Sequence, residues 1–295
     1  MRIGLAGTGK MGSAMVRRLM GSGLSVQVWN RSQGRAQALL DEGAGWAATP
    51  AELARSCDTV ITMLTDDAAL ESVYLGADGL LASVPPGALF IDMSTVPPAT
   101  AQRIGQRVAA AGARFLECPV GGSVGPARDG KLLGFVGGEA VDLERARPVL
   151  TPLCRRIEHV GGLGAGATMK LAINLPLMVY WQTLAESLSI MQPLGLDPAR
   201  VVDILADTSG GPNMLKARGP AIAQALAGSP GPVSVDVATM RKDMRAMLAE
   251  AAAHQRRLPL TELALRTFEQ ASSQGLDAAD CTQLPVWWLG DAGRS

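Results

Sequence analysis

Gly7-Thr8-Gly9-Lys10-Met11-Gly12 follows directly on the apolar run Ile3-Gly4-Leu5-Ala6, and Met11 to Met20 then reads as a helix. Strand, glycine turn and helix in that order give G-x-G-x-x-G its meaning. The first glycine allows the tight turn, the second lets backbone approach a pyrophosphate, and the third lets helix pack on strand. The helix start, with its unpaired amides and positive dipole end, then receives the phosphates. Gly7, Thr8, Gly9, Lys10, Met11 and Gly12 are thus predicted to hold a dinucleotide.

The second strand, Val26-Gln27-Val28-Trp29, ends in Asn30-Arg31-Ser32. An NAD site would place Asp or Glu here for the ribose hydroxyls. Arg31 can instead pair with a 2′-phosphate and Ser32 can hydrogen-bond it, which predicts NADP(H). The alternation continues through a helix over Gln33–Glu42 and a short helix over Pro50–Ser56. Val60–Leu64 is a buried strand ending in Thr65-Asp66-Asp67 as a helix cap, and Leu89–Met93 is the next strand. Repeated strand–helix units predict an α/β fold with a parallel, doubly wound, Rossmann-type sheet. Ligands bind beyond the C-terminal strand ends of such sheets, so Met63, Leu64 and the loop after Met93 should face the cofactor.

In that loop Ser94 or Thr95 is expected to cap a helix led by Pro97 and Pro98. A further strand, Phe115–Cys118, runs into Pro119-Val120-Gly121-Gly122-Ser123-Val124-Gly125, whose small residues let backbone amides form a concavity suited to a carboxylate. Leu132–Val136 is another strand, Glu139–Leu150 a helix, and Ile157–Val160 closes the sheet. Residues 1–162 are therefore read as the NADP-binding domain and 163–295 as a helical substrate and dimerisation domain, joined by a long interdomain helix.

That helix opens with Gly164-Ala165-Gly166-Ala167-Thr168-Met169-Lys170-Leu171-Ala172-Ile173-Asn174. Its apolar content predicts burial. Lys170 and Asn174, four apart, share one face. Burial and the helix dipole both disfavour the ammonium of Lys170, a setting that suits a general acid, with Asn174 orienting the amine. A plainer alternative has the amine reaching solvent and Asn174 satisfied in the core. The segment from Leu171 to about Leu194 reads as one helix or as two joined near Pro176. Further helices are expected over Ala199–Ala206, Ala221–Leu226, Thr239–Arg256 and Pro259–Gln274, with a last one starting at Asp277–Leu284. Tyr180 and Trp181 serve either the core or a subunit interface, and Trp287 and Trp288 fit core, interface or pocket rim.

Composition narrows the function class. The 27 basic and 27 acidic residues cancel, which argues against nucleic acid or an anionic membrane as partner. Cys57, Cys118, Cys154 and Cys281 are scattered, and His159 and His254 lack ligand spacing, so neither a disulfide framework nor a metal site is expected. No signal peptide or membrane span is read in the chain, which predicts a cytoplasmic protein.

Taken together the motifs resemble the β-hydroxyacid dehydrogenase family over nearly the whole chain. The resemblance rests on Gly7–Gly12, Asp92-x-Ser94-Thr95, Pro119-Val120 with its glycine-rich loop, and Gly164-x-Gly166-x-x-x-Lys170-x-x-x-Asn174, in that order. It implies that Lys170 is the catalytic acid/base, supported by Asn174, and that Thr95 contacts cofactor or substrate. Lys242, within Arg241-Lys242-Asp243-Met244-Arg245, is implied to approach the nicotinamide. Trp29-Asn30-Arg31-Ser32 and Lys242-Asp243-Met244-Arg245 look most like the NADPH-dependent glyoxylate/succinic semialdehyde reductases. Two departures stand out: Gly121 replaces the family's usual serine, and Pro176 follows Asn174 by two residues.

The expected activity is NADPH-dependent interconversion of small aldehyde or oxo acids and hydroxy acids. Ser94, Thr95, Gly121, Gly122, Ser123 and Asp243 would bind the carboxylate-bearing substrate beside Lys170 and Asn174, in a homodimer or homotetramer. Imine reduction is the nearest alternative, disfavoured by Lys170. A non-catalytic NADP-binding scaffold is the other.

Overall fold

The structure is a computed structural model and describes residues 1–292, so 293–295 of the expected second domain lie outside the described residues. The strands are β1 (Ile3–Ala6), β2 (Val26–Trp29), β3 (Gly45–Trp46), β4 (Thr59–Thr62), β5 (Leu89–Asp92), β6 (Arg114–Glu117), β7 (Val120–Gly121), β8 (Leu132–Gly137) and β9 (Cys154–Gly161). The helices of the first part are α1 (Lys10–Gly21), α2 (Gln37–Asp41), α3 (Pro50–Ser56), α4 (Asp67–Leu75), α5 (Pro98–Ala110), α6 (Val124–Arg128) and α7 (Ala140–Leu150). Then come α8 (Ala165–Met191), α9 (Pro198–Ala206), α10 (Asn213–Leu226), α11 (Val237–Ala253), α12 (Pro259–Ala271) and α13 (Gln283–Trp287).

The strands form one sheet in the order β3-β2-β1-β4-β5-β6-β8-β7, with β9 beside β8. From β3 to β6 all pairings are parallel, with Ile3 opposite both Val26 and Thr59. The central strands are buried on both faces, as covered parallel strands must be. Alternate residues supply two separate cores. Ile3, Leu5, Ile61, Leu89 and Ile91 pack with Met15 and Leu19 of α1 and Leu143 of α7. Ala6, Val60 and Phe90 pack on the opposite face with Leu53 of α3 and Ile104 of α5. The period of two thus places helices on both faces, the doubly wound arrangement.

The far edge departs from the parallel pattern. β8 runs antiparallel to β6 and β7, and β9 parallel to β8. Val120–Gly121, expected within a loop, is the short strand β7, followed by the five-residue helix α6.

The chain separates into two compact units, one ending at Lys170 and one beginning at Leu171. The division therefore falls inside α8, whereas the sequence boundary at 162/163 lies in the loop before it. α8 is one helix of 27 residues with Pro176 in its interior. Proline removes an amide donor and crowds the carbonyl four residues back. Here both Pro176 and Ala172 are exposed, so water can serve that carbonyl and the helix continues. Nor is α8 buried all round: Met169 and Ile173 are exposed.

The second unit is all helical. Leu171, Trp181, Leu184, Met240, Met244 and Phe268 form its core. Trp181 is fully packed, with the Arg218 guanidinium 5.8 Å from its ring centroid, so it is a core residue. Asp277–Thr282 is not helical, contrary to expectation, because Asp280 is drawn into a buried polar knot. Its carboxylate accepts from Arg218 Nη2 at 2.7 Å, the Ser234 amide at 2.6 Å and the Thr282 amide at 3.0 Å. Among the described residues, no helix is long and apolar enough to cross a membrane, and no three His, Cys, Asp or Glu could share a metal ion.

Candidate nucleotide and acid–base site

The glycine turn after β1 shows which glycines the protein needs for itself. Gly7 has φ +105°, and a side chain there would run into the Met63 carbonyl. A side chain at Gly12 would collide with the Gly7 carbonyl, where α1 lies on β1. Gly9 has no such neighbour: nothing lies within 4 Å of where its Cβ would be. The space above Gly9 is left for something else to approach the backbone, beside the opening turn of α1, whose first amides have no acceptor within the helix.

The loop is fixed from below. The Gly7 amide donates to Trp29 O at 2.9 Å, and the Thr8 amide to Asn30 Oδ1 at 3.2 Å. Asn30 Nδ2 donates to Ser32 O at 3.0 Å, so this residue ties the glycine turn to the turn after β2. Arg31 and Ser32 are exposed there. Thr8 Oγ1 is buried and has no hydrogen-bond partner among the described residues. An orphaned hydroxyl beside an open glycine fits a dinucleotide's polar groups.

A second tie joins the ends of β4 and β5. Asp92 Oδ1 accepts from Thr62 Oγ1 and from Ser94 Oγ, each at 2.7 Å. Ser94 Oγ in turn accepts from the Leu64 amide at 2.9 Å. Ser94 is therefore not the cap of α5, which begins at Pro98 with Pro97 in the cap position and no side-chain cap hydrogen bond. It holds the Met63-Leu64 loop against the β5 loop that carries Thr95. Burial raises the Asp92 carboxyl, and the hydrogen bonds from Ser94 and Thr62 pull the other way.

After β7, Gly122 takes φ +123°, and Ser123 precedes α6; both are exposed. Gly121 contributes a strand residue rather than a loop amide. The positive φ at Gly122 is the reason for glycine there, since most side chains avoid it.

The start of α8 is closed by a carboxylate. Glu117, the last residue of β6, is 1% exposed. Its Oε1 accepts from the Gly164 amide at 2.6 Å and the Gly166 amide at 2.9 Å, and its Oε2 from the Ala167 amide at 3.1 Å. Burial pushes the Glu117 carboxyl up to about 7, against the pull of the three amides. One turn further along, Lys170 is 9% exposed, and Asn174, one more turn on, is half-buried. In the second unit, Lys242 and Asp243 of α11 pair with each other, Nζ to Oδ1, at 3.2 Å. Asp243 is buried and Lys242 half-buried.

The first unit thus brings together Gly7–Gly12 with Asn30, and Met63-Leu64 with Ser94. Lys170 and Asn174 share one helix face. Glu117, Thr62 and the tying role of Asp92 were missed by sequence reading. The available signal was a carboxylate at the end of an otherwise apolar strand, where burial without a partner is costly.

Comparison with known proteins agrees with this layout. Residues 2–161 match the NAD binding domain of 6-phosphogluconate dehydrogenase, and residues 164–287 the NAD-binding domain of NADP-dependent 3-hydroxyisobutyrate dehydrogenase. A 3-hydroxyisobutyrate dehydrogenase of Pseudomonas aeruginosa is 36% identical over 96% of this chain and 97% of its own. Glyoxylate/succinic semialdehyde reductase 1 of Arabidopsis thaliana is 33% identical over 95% and 96%. Among solved structures, that of Psf3 in complex with NADP+ and 2-OPP superposes with a TM-score of 0.86 at 28% identity, covering 97% of this chain and 99% of that one. The chain belongs to the β-hydroxyacid dehydrogenase family, oxidoreductases that act on CH–OH groups with a nicotinamide cofactor.

Proposed function

We infer that the protein reduces small carboxylate-bearing aldehydes or oxo acids with NADPH and, in reverse, oxidises the matching hydroxy acids. The observation that carries this reading is Lys170, buried on α8 one turn beyond its glycine-led start. An ammonium is seldom buried without a use. The preference for NADPH is supported by Arg31, exposed at the end of β2, where the turn Asn30-Arg31-Ser32 carries no acidic side chain.

When bound, NADPH supplies the hydride that the substrate's carbonyl carbon accepts. Lys170, as the ammonium, donates a proton to the carbonyl oxygen as negative charge grows on it. In the reverse direction the neutral amine takes the proton from the hydroxyl. Asn174 orients that amine from the next turn of the same face. Thr95, Gly122 and Ser123 supply hydroxyl and backbone donors for the substrate carboxylate, and the lost serine hydroxyl at Gly121 shifts that task to the backbone. The family resemblance assigns Lys242 to the cofactor and Asp243 to the substrate, and the two side chains pair with each other on α11.

The protein is proposed to be a homo-oligomer. Ile190 and Leu194 near the end of α8 are 82% and 64% exposed, and Leu260 and Leu263 of α12 are 68% and 61% exposed. Monomer mass by light scattering at micromolar concentration would overturn this part.

The central test is single-turnover loss of NADPH absorbance with glyoxylate, succinic semialdehyde and methylmalonate semialdehyde. Lys170→Ala is expected to lose at least about a hundredfold in kcat while binding NADPH as wild type does. Lys170→Arg is not expected to rescue it, because guanidinium is too weak an acid. A Lys170→Ala rate within a few-fold of wild type would remove the lysine from the reaction. Wild-type affinity for NADH equal to that for NADPH would overturn the cofactor assignment.

A further inference from the structure

We propose that Glu117 is the positioning residue for Lys170: its carboxylate locks the first turn of α8 and so fixes where the lysine's proton is delivered. This rests on Lys170 being the proton donor of the reaction proposed above.

Several features of the structure serve this one carboxylate. The opening amides of α8 have no acceptors within the helix. Ala165 N donates to Gly162 O at 3.1 Å, and Gly164, Gly166 and Ala167 all donate to Glu117. Thr168 N then makes the first regular helical bond, to Gly164 O at 2.9 Å. Every amide of the turn before Lys170 is therefore held, and three of the four by a strand 47 or more residues earlier.

Room for the carboxylate has been cleared on both sides. Glu117 lies opposite Gly137 of β8, and a Cβ at Gly137 would strike Glu117 Oε1. A Cβ at Gly166 would come within 3.2 Å of the Glu117 carboxyl carbon and 2.5 Å of Phe135 O. Gly164 takes φ +98°, a backbone state open chiefly to glycine, in the turn that delivers its amide to Glu117. At Gly137 the carboxylate itself is what a side chain would strike first, while Gly166 is also required by Phe135 O and Gly164 by its positive φ and by Gln102.

Glu117 also stands at a junction. Cys118-Pro119 after it leads into β7 and then Gly122-Ser123, the segment given to the substrate carboxylate. The same residue thus ends the strand that feeds the substrate loop and anchors the helix that carries the acid. A buried, three-fold hydrogen-bonded link between them holds the proton donor and the carboxylate loop in register. Misplacing a catalytic group by about 1 Å costs on the order of 10²-fold in rate, so a clamp on the preceding turn matters to chemistry more than to binding.

The test is a double-mutant cycle on single-turnover reduction, with the best carbonyl acid of the panel above. Glu117→Gln keeps shape but turns an amide donor toward backbone donors. It is expected to lower kcat at least about tenfold while KM and NADPH affinity stay within about twofold. In the Lys170→Ala background the same substitution should change the residual rate by less than about twofold, because its target is gone. Equal losses in both backgrounds, or a Glu117→Gln kcat within twofold of wild type, would overturn the proposal. Should Glu117→Gln fail to fold, Glu117→Asp, which keeps the charge on a shorter arm, carries the same cycle. A Lys170→Ala enzyme as fast as wild type would instead sink the functional reading itself, a distinct outcome.

Discussion

Two helices begin at closely spaced glycines, and they use the same electrostatic opportunity in opposite ways. α1 starts beside Gly9, whose missing side chain faces no protein atom within 4 Å. α8 starts beside Gly166, whose missing side chain leaves room for Phe135 O and for Glu117. Each helix start is a positive end whose first amides have no acceptor within the helix. At α1 the place for an anion is left to a ligand. At α8 the protein fills it with its own carboxylate, one turn before Lys170. Glycine spacing alone does not separate a ligand cradle from an internal clamp; the strand lying across the helix start does.

The sharpest way to expose the clamp is by pH. Glu117 is raised to about 7 from an ordinary 4.5, with burial as the main cause and the charge of Asp92 adding to it. Between these values the folded protein holds a proton that the unfolded chain has released. The Glu117 contribution to stability is therefore full below about pH 4.5 and is lost as pH rises to about 7, by about 3 kcal/mol. Asp280 in the second unit is the counter-case. Burial works to raise its carboxyl, but the amides and hydroxyls of Ser234 and Thr282 outweigh that and hold it at about 2. Its contribution is present above pH 3.8 and lost as pH falls toward about 2, by roughly 2 kcal/mol. Urea denaturation across pH should show the gap between wild type and Glu117→Gln narrowing as pH rises from 4.5 to 7. The gap to Asp280→Asn should narrow as pH falls below 4. Slopes of the same sign would break the comparison.

Next in size is Gly166→Ala. The added methyl meets a backbone carbonyl, Phe135 O, at 2.5 Å, and such overpacking costs about 1–3 kcal/mol. Denaturant midpoints check it. A variant as stable as wild type would mean that α8 can shift away from Glu117 without penalty, and that the clamp is loose.

The α1 region was legible because its demands are local. Gly7 needs a positive φ and Gly12 a close helix–strand contact, and both show within six residues. β1, β2, β4 and β5 were legible because each is a short, largely apolar run. What escaped depended on distant partners. β7 is two residues long and exists because β8 pairs with it. Asp280 breaks the expected last helix because Arg218 and Ser234 claim its carboxylate. The role of Glu117 is set by amides beyond Gly162, which no window around residue 117 contains. Met169 and Ile173 were read as buried from apolarity alone, which cannot say which side of α8 meets the core. Pro176 suggested a break that the exposed side of the helix does not require.

The smallest expected effect isolates the open half of the comparison. Gly9 has φ −69° and ψ −173°, a conformation alanine adopts without strain. Alanine is a poorer N-cap than glycine, but it also reduces the freedom of the unfolded chain, and these two effects oppose each other. Gly9→Ala should therefore change stability by less than about 1 kcal/mol, unlike Gly166→Ala. Its methyl would project into the space where backbone approaches a pyrophosphate, so NADPH affinity should fall about tenfold, equivalent to about 1.4 kcal/mol. Because the pyrophosphate is common to both dinucleotides, NADH affinity should fall by the same factor. Fluorescence titration of wild type and Gly9→Ala with each cofactor measures this. Unchanged NADPH affinity in a folded Gly9→Ala protein would mean that the phosphates do not lie over the start of α1, and that its open glycine has no ligand to explain it.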